Sequence, residues 1–529
     1  MIKVVAYTVD VCGNNILIQD SEGESVNSSD VRELLAFLNE PYSDRDTFAI
    51  KVFWDLDTAI SPILRKLGIN ACRQLASPSH AYENIFYIPS KIFCIEGNEN
   101  KSFFYHLAQY YPDEEEQDDV ETIAGMASNI LDAFKAMGLH PKKLTSPIAV
   151  YEAEVLRHMQ IPTILNIPGK YEELIEYAED CIGRLWIQAY QIGHWDVGEI
   201  YEYDMRSAYP AISARLRSLQ YAKYVKAKHI PSEHEIFVEE EPDWGFMRGK
   251  VTIYDGVNIS PIFYNNGSTN IHPTGTWETT ITLQEYRFIN KWKIGEFKID
   301  DGYFIKFTAP VMPLEVAMKR LFNQRGQGGL INGLAKRIAT GGAYGKFIEK
   351  HEDGSVGAYY NPIYAAMINS IANLKIAEFI YQNNLQDDVV HIGVDSVMST
   401  KEATKGVYNG NTPMGCWRLS GIGAALVLSS GRVYHGDKKP QGLNYDEIIS
   451  LIRQHPRETF YRTILKRRQT LEESIQLNDL NGLGKMKDVS SSFDINLLKG
   501  TTDRVYRIFP INGHELLSNQ YKSKPISIK

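Results

Sequence analysis

Two carboxylates carry the strongest chemical signal in this chain. EIYEYDMRSAYP (199–210) reads as a strand ending at Asp204, followed by a turn closed by Pro210. VVHIGVDSVMST (389–400) reads as a hairpin whose turn falls at Gly393–Asp395. A carboxylate at the end of a buried strand points into whatever cleft the sheet edge forms. Two of them, from distant positions, can share one site and bridge two magnesium ions about 3.5–4 Å apart. Magnesium takes one or two carboxylates and completes its shell with phosphate oxygens and water, which suits nucleotide transfer. Neither segment is diagnostic alone, because most strand-end aspartates are surface or capping residues.

Between them lies LAKRIATGGAYGKF, 334–347. Arg337, Gly341 and Tyr344 are spaced i, i+4, i+7, which places them on one face of a helix. A cation, a small residue and an aromatic on one face can hold a triphosphate, leave room for a base and stack on it. Two adjacent glycines in a helix cost roughly 1 kcal/mol each against alanine, so the pair needs a reason.

The elements that must position these groups are legible in outline. VVAYTVDV and NILIQDS flank the turn dipeptide Gly13–Asn14, VRELLAFLN is a short amphipathic helix, and TFAIKVFWD is strand-like. This pattern suits an α/β domain, closed near residue 155 by the helical period of VETIAGMASNILDAFKAMG. Residues 245–308 are rich in strand and turn signals, 313–384 are helical with interruptions at RGQGG and HEDGSVG, and the remainder is mixed and basic. At 529 residues, two to four domains are expected.

Net charge is −9, which argues against a surface coated in basic residues but leaves room for a local basic channel. Lys319, Arg320, Arg325, Lys336, Arg337, Lys346 and Lys350 face only Glu315 and Glu349 between 313 and 350, whereas DEEEQDDVE (113–121) is acidic. A second basic stretch holds Arg462, Lys466, Arg467 and Arg468. The five cysteines are scattered without a CxxC pair, so neither a disulfide framework nor a zinc site is indicated, and a reducing compartment fits. No signal peptide and no apolar stretch long enough to span a membrane is read from the sequence.

Three segments resemble, in the right order, the polymerase motifs of family B DNA polymerases. Asp204-Met-Arg-Ser207-Ala-Tyr209-Pro210 resembles DxxSLYP. Arg337 to Tyr344-Gly345 resembles KxxxNSxYG. Gly393-Val-Asp395-Ser396 resembles DTDS. The GKF after Tyr344 and a later Arg432-x-Tyr434, similar to KxY, point to the protein-primed branch of small phages and linear plasmids.

The resemblance implies an α/β and α+β multidomain fold: a right-hand polymerase of palm, fingers and thumb behind an N-terminal RNase-H-like exonuclease-type domain. The corresponding boundaries are 1–155 for that domain, 156–195 for a connector, 196–312 for a palm with insertion, 313–384 for fingers, 385–440 for palm again, and 441–529 for thumb and C-terminal region. It implies that Asp204 and Asp395 ligate two Mg2+ ions, with Mn2+ as a substitute. Tyr209 would gate the sugar against a 2′-hydroxyl, Arg325 and Arg337 would bind the triphosphate, and Ser207 and Tyr344 would complete the nucleotide site. Arg432, Tyr434 and Gly345 would touch DNA. One metal would lower the pKa of the primer 3′-hydroxyl and the other would neutralise the leaving pyrophosphate.

The departures are specific. The first Asp of DTDS is Gly393, and the Asn–Ser pair of the second motif is Gly341–Gly342. The stretch from Phe347 to Pro362 is too short for the inserted hairpin that encircles DNA in protein-primed relatives, so weak strand displacement is expected. In the first domain Asp10 aligns with DxE but its Glu is Cys12. Asp55 aligns with NxxFD but the Asn is Lys51, whose cation would stand beside a metal. Asp119 aligns with YxxxD but the Tyr is Glu115. The expectation is a degenerate exonuclease with weak or absent proofreading. The function so implied is template-directed DNA synthesis on a primer, with primer–template DNA, dNTPs and a terminal protein as partners, in a monomer of the host cytoplasm and off the membrane. The alternative is a catalytically inactive relative that binds nucleic acid.

Overall fold

The computed structural model describes all residues except 1, 42–47, 98–99, 113, 159–160, 162–171, 184, 232–240, 266, 268–269, 352–353, 437, 441–442, 496–503, 509 and 529. Most of the interior of the expected connector, 156–195, thus lies outside the described residues up to 171. The chain forms two compact units. The first comprises 1–159, 323–338 and 464–490; the second comprises 160–322, 339–463 and 491–529.

The first unit is built on an eight-stranded mixed sheet. Strands Ile2–Cys12 and Asn15–Asp20 form the expected hairpin, with Cys12 opposite Asn15 and Gly13 at φ +65° in the two-residue loop. Ile2–Cys12 runs parallel to Phe48–Phe53, which runs parallel to Lys101–His106. Helices Val31–Asn39, Leu56–Leu67 and Val120–Ala136 accompany it. Leu34 and Leu38, one turn apart, bury with Val5, Tyr7, Phe53, Ile63 and Phe104 in one apolar core.

The second unit is organised by one long strand, Gln191–Met205, which pairs antiparallel with Ser396–Ser399 on one side and Trp417–Ser429 on the other. The C-terminal strand Gln520–Pro525 pairs with its beginning. A separate five-stranded sheet includes Trp244–Ile253, Thr274–Thr282 and Gly295–Phe307.

Four local readings change. The strand-rich stretch 245–308 contains a helix, Leu283–Trp292, started by a capping box between Thr282 and Glu285. Pro210 does not close a turn; it lies inside the short helix Ala208–Ser213, entered through Ser207 at φ +53°. The α-helix Gly329–Thr340 gives way to a π turn at Gly341–Gly345. The wider turn breaks the i, i+4, i+7 register, so Arg337, Gly341 and Tyr344 do not share one α-helical face; the two glycines mark where the winding changes. Finally, one helix among the described residues, Pro362–Gln382, is long and apolar enough to cross a membrane, contrary to the sequence reading. It is apolar all round because 83% of its apolar window is buried inside the protein.

Candidate active site

Asp204 is the penultimate residue of the long strand and stands opposite Ser396, the first residue of the neighbouring strand. The amide of Met205 donates to the carbonyl of Asp395 at 2.9 Å. The two aspartates singled out from sequence, 191 positions apart in the numbering, are therefore neighbours on adjoining strand ends. The hairpin is fixed from three directions. The Val394 amide donates to the carbonyl of Trp186 at 2.9 Å, the Asp395 amide to the carbonyl of Gly393 at 2.7 Å, and the Ser396 hydroxyl to that same carbonyl at 3.0 Å. Val394 itself has φ +62°.

Asp204 has a further partner that the sequence did not reveal. Arg418 faces it across the sheet and grips it as a fork, Nε to Oδ1 at 2.8 Å and Nη2 to Oδ2 at 3.2 Å. Only strand register could have exposed this pairing, because a bulge between Glu202 and Tyr203 shifts the partners by one.

Tyr209 is 8% exposed, and its ring packs on that of Tyr344 at 5.0 Å between centroids, tilted by 44°. Burial raises the Tyr209 phenol well above its usual range, with Tyr344 and then Asp395 adding to it. The ring is held from the side by an aromatic and feels the Asp395 carboxylate electrostatically. Gly345 ends the π turn that carries Tyr344.

The cations expected on the triphosphate lie in the first unit. Arg325 ends the helix Glu315–Arg325, and the guanidinium of Arg337 donates to the backbone carbonyl of Gln109. Arg432 lies opposite Ser429 on the short strand Arg432–Tyr434. Tyr434 corrects an expectation. It is fully enclosed in the core around Leu426 and Ile448, and its hydroxyl is buried without a hydrogen-bond partner among the described residues. The strand's inward pleat gives Tyr434 to the core, so the side chain is closed off from a nucleic-acid strand.

In the first unit, Asp10 and Asp55 line a cavity of about 340 Å³ with Trp54, Glu116 and Asp118. Two of its acids, Asp55 and Glu116, are already engaged. Asp55 caps helix Leu56–Leu67 by accepting the amides of Asp57 and Thr58, and takes the Thr58 hydroxyl at 2.9 Å. Arg468 bridges Asp55, at 3.5 Å, and Glu116. Asp119 caps helix Val120–Ala136 through the Thr122 amide at 2.7 Å. Lys51 does not stand at a metal position as expected: its buried ammonium donates to the carbonyls of Leu38 and Glu40 at 2.7 and 2.9 Å and to the Ser102 hydroxyl at 3.1 Å. Burial lowers its pKa to about 8, Glu40 and Asp20 opposing.

Among the described residues, no group of three or more His, Cys, Asp or Glu is arranged to hold a metal. The pair Asp204–Asp395 still fits magnesium, because that ion needs only one or two carboxylates when a nucleotide supplies the remaining oxygens. The cavity at Asp10 and Asp55 does not fit. Arg468 already bridges Asp55 and Glu116 there.

No family model matches the chain, and no curated protein matches it in sequence. Solved structures do match in fold. Phi29 DNA polymerase complexed with primer–template DNA and incoming nucleotide superposes with a TM-score of 0.59 at 13% identity, covering 93% of this chain and 100% of that one. The same polymerase in an orthorhombic crystal form gives 0.56 at 13%, and complexed with single-stranded DNA 0.57 at 12%, each covering 94% of this chain and all of the other. The fold is thus of the multidomain right-hand polymerase kind with an exonuclease-type domain, as the resemblance implied.

Proposed function

We propose that this protein is a template-directed DNA polymerase that adds deoxynucleotides to a primer 3′-hydroxyl. The observation that carries the reading is the junction of Asp204 and Asp395, joined through the Met205 amide and the Asp395 carbonyl. In this reading Asp204 and Asp395 hold Mg2+, or Mn2+ in its place, and the metal when bound supplies Lewis-acid charge at the reacting phosphate. The protein's own work is positional. The fixed hairpin aims Asp395. Tyr209, braced by Tyr344, forms an apolar wall that leaves no room for a 2′-hydroxyl. Preorganised geometry of this kind supplies the orientation term of phosphoryl transfer without a covalent intermediate.

The structural neighbours are DNA polymerases and their match covers nearly the whole chain, which supports this reading. Primer extension with each dNTP and NTP, wild type beside Asp395→Ala, tests it. Extension by dNTPs alone, abolished by the substitution, is the expected result. Binding of primer–template with no extension under any metal would instead favour an inactive nucleic-acid-binding relative. The fork of Arg418 on Asp204 is the feature in favour of that reading.

Proofreading is weak or absent in this proposal, because Asp55 and Glu116 are bridged by Arg468 and Asp119 caps a helix. Strand displacement is weak as well: Lys350 and Val356 already close a short bridge in the stretch where relatives insert a hairpin. Primer–template DNA and dNTPs are the partners, and a terminal protein supplies the first hydroxyl. The protein acts as a monomer in the host cytoplasm.

A further inference from the structure

Glu202 lies two residues before Asp204 on the same strand, so both side chains leave the same face, separated by one pleat repeat of about 7 Å. Beside Glu202 opens a cleft of about 990 Å³. His435 forms part of its wall. Nε2 of His435 faces the Glu202 carboxylate at 3.3 Å, and Nδ1 faces the carbonyl of Ala424 at 2.7 Å. Both partners are acceptors, and Glu202 raises the His435 pKa above its usual value, which favours the doubly protonated ring. Lys438 reaches the same carboxylate at 2.6 Å while half its side chain remains exposed, and Lys439 lines the cleft beside it. Asp446 lines the cleft as well, so Lys438, Lys439 and His435 stand there against two carboxylates.

The floor is backbone. Gly421 and Gly423 line the cleft, and a Cβ at Gly423 would sit 3.2 Å from Cε1 of His435. Any side chain there would press on the imidazolium and roof it over. The glycines leave the cations accessible to an anion that approaches the strand closely. Enclosing Glu202 and His435, with 14% and 9% of their side chains exposed, costs several kcal/mol of desolvation per ion. Stability alone does not account for that expense.

We propose that this cleft cradles a backbone phosphate of the primer strand close to its 3′ end, with Lys438 and Lys439 as the direct contacts and Glu202 and His435 as positioning residues. This rests on the polymerase reading of Asp204 and Asp395. It also replaces the strand contact that the resemblance assigned to Tyr434, which the core has enclosed. One pleat repeat from Asp204 places the cradle beside the primer terminus, and the ammonium groups of Lys438 and Lys439 suit a phosphodiester.

The test is binding without nucleotide, read by fluorescence anisotropy on primer–template carrying a single neutral methylphosphonate, moved one linkage at a time through the primer. The expected result is a loss of about tenfold in wild-type affinity at one linkage within the last few nucleotides, absent in Lys438→Ala and restored in Lys438→Arg. Lys438→Ala should also lower the slope of log affinity against log salt by about one. A wild type indifferent to every primer linkage would overturn the cradle, as would an equal penalty in Lys438→Ala. Because the readout needs no turnover, Asp395→Ala must keep the linkage sensitivity. A protein that shows it yet never extends a primer would sink the polymerase reading and leave the cradle standing.

Discussion

The carbonyl of Gly393 accepts the amide of Asp395 at 2.7 Å, closing a three-residue turn with Val394 at φ +62° in its centre. This is the γ-turn with positive central φ, a rare and strained form, and a β-branched residue is the least suited to it. Such strain costs on the order of 1–3 kcal/mol and persists where neighbouring structure enforces it. The Trp186 carbonyl and the Ser396 hydroxyl do so here. Val394→Gly should raise the urea midpoint by an amount worth about 1 kcal/mol, the relief being partly offset by glycine's unfolded-state entropy. Primer extension should fall by about tenfold as the aim of Asp395 loosens. A destabilised variant would show that the turn stores no strain.

If Asp204 holds a metal as proposed, Arg418 competes with that metal for its carboxylate. The guanidinium must release at least one carboxylate oxygen before a cation binds there. With the arginine side chain 45% exposed, the pair contributes about 0.2–1 kcal/mol. Arg418→Ala should therefore tighten Mn2+ binding by about two- to fivefold, measured by electron paramagnetic resonance on the nucleotide-free protein. The Mg2+ concentration for half-maximal extension should shift down in parallel. Weaker Mn2+ binding in the variant would mean that Arg418 orients Asp204 for the ion instead of competing with it.

Much of the site was readable because its parts obey local rules. The strand expected to end at Asp204 runs one residue further, to Met205, a tight turn fell at Gly393–Asp395, and the hairpin around Gly13–Asn14 formed as written. What failed depended on tertiary partners. The face of Tyr434 is chosen by the core around Ile448, and no local pattern distinguishes it from a DNA-facing tyrosine. Arg418, Glu202, His435 and Arg468 meet their partners through strand register or across long sequence separations, where a one-residue bulge decides which side chains touch. The helical spacing of Arg337, Gly341 and Tyr344 was correct arithmetic for an α-helix applied across a π turn. Pro362–Gln382, with its even apolar composition, could only be distinguished from a membrane segment by what packs around it.

Glu285 gives the second unit a pH dependence. Burial raises its pKa to about 7, against hydrogen bonds with Thr282 that lower it. A carboxyl with a folded pKa above its unfolded value stabilises fully below the unfolded value of about 4.5, and this stability is lost as pH rises through about 7. Urea unfolding between pH 5 and 8 should show that loss, on the order of 2–3 kcal/mol. Glu285→Gln keeps the capping geometry and removes the titration, so its stability should be nearly flat over the same window. A wild type equally flat would rule out this assignment.

Arg468 predicts the fate of mismatched primer ends. Its guanidinium engages Asp55 and Glu116, two of the four acids lining the cavity, and competes with a cation for them. Incubation of a 3′-mismatched primer–template with Mg2+ and no nucleotides should leave the primer at full length, and Asp55→Ala should change nothing. Progressive shortening by the wild type, abolished in Asp55→Ala, would restore the first unit to proofreading. Arg468→Ala alone should not create the activity, because Asp119 remains a helix cap and Cys12 supplies no carboxylate.

The stretch from Phe347 to Pro362 sets how the protein handles duplex ahead of the primer. Helix Pro362–Gln382 begins immediately, with Asn361 capping it through the Tyr364 amide, and the Asn361 amide donates to the carbonyl of Phe347 at 3.0 Å. That bond draws the two ends of the stretch together and fixes it as a closed loop. A loop this short cannot surround a displaced strand or hold the template against dissociation. On primed single-stranded circles the enzyme should complete one lap and stall at the primer's 5′ end, giving unit-length product on an alkaline gel. Added single-stranded-DNA-binding protein should extend this product modestly. Multi-unit products from the unaided enzyme would show that some other element separates the strands.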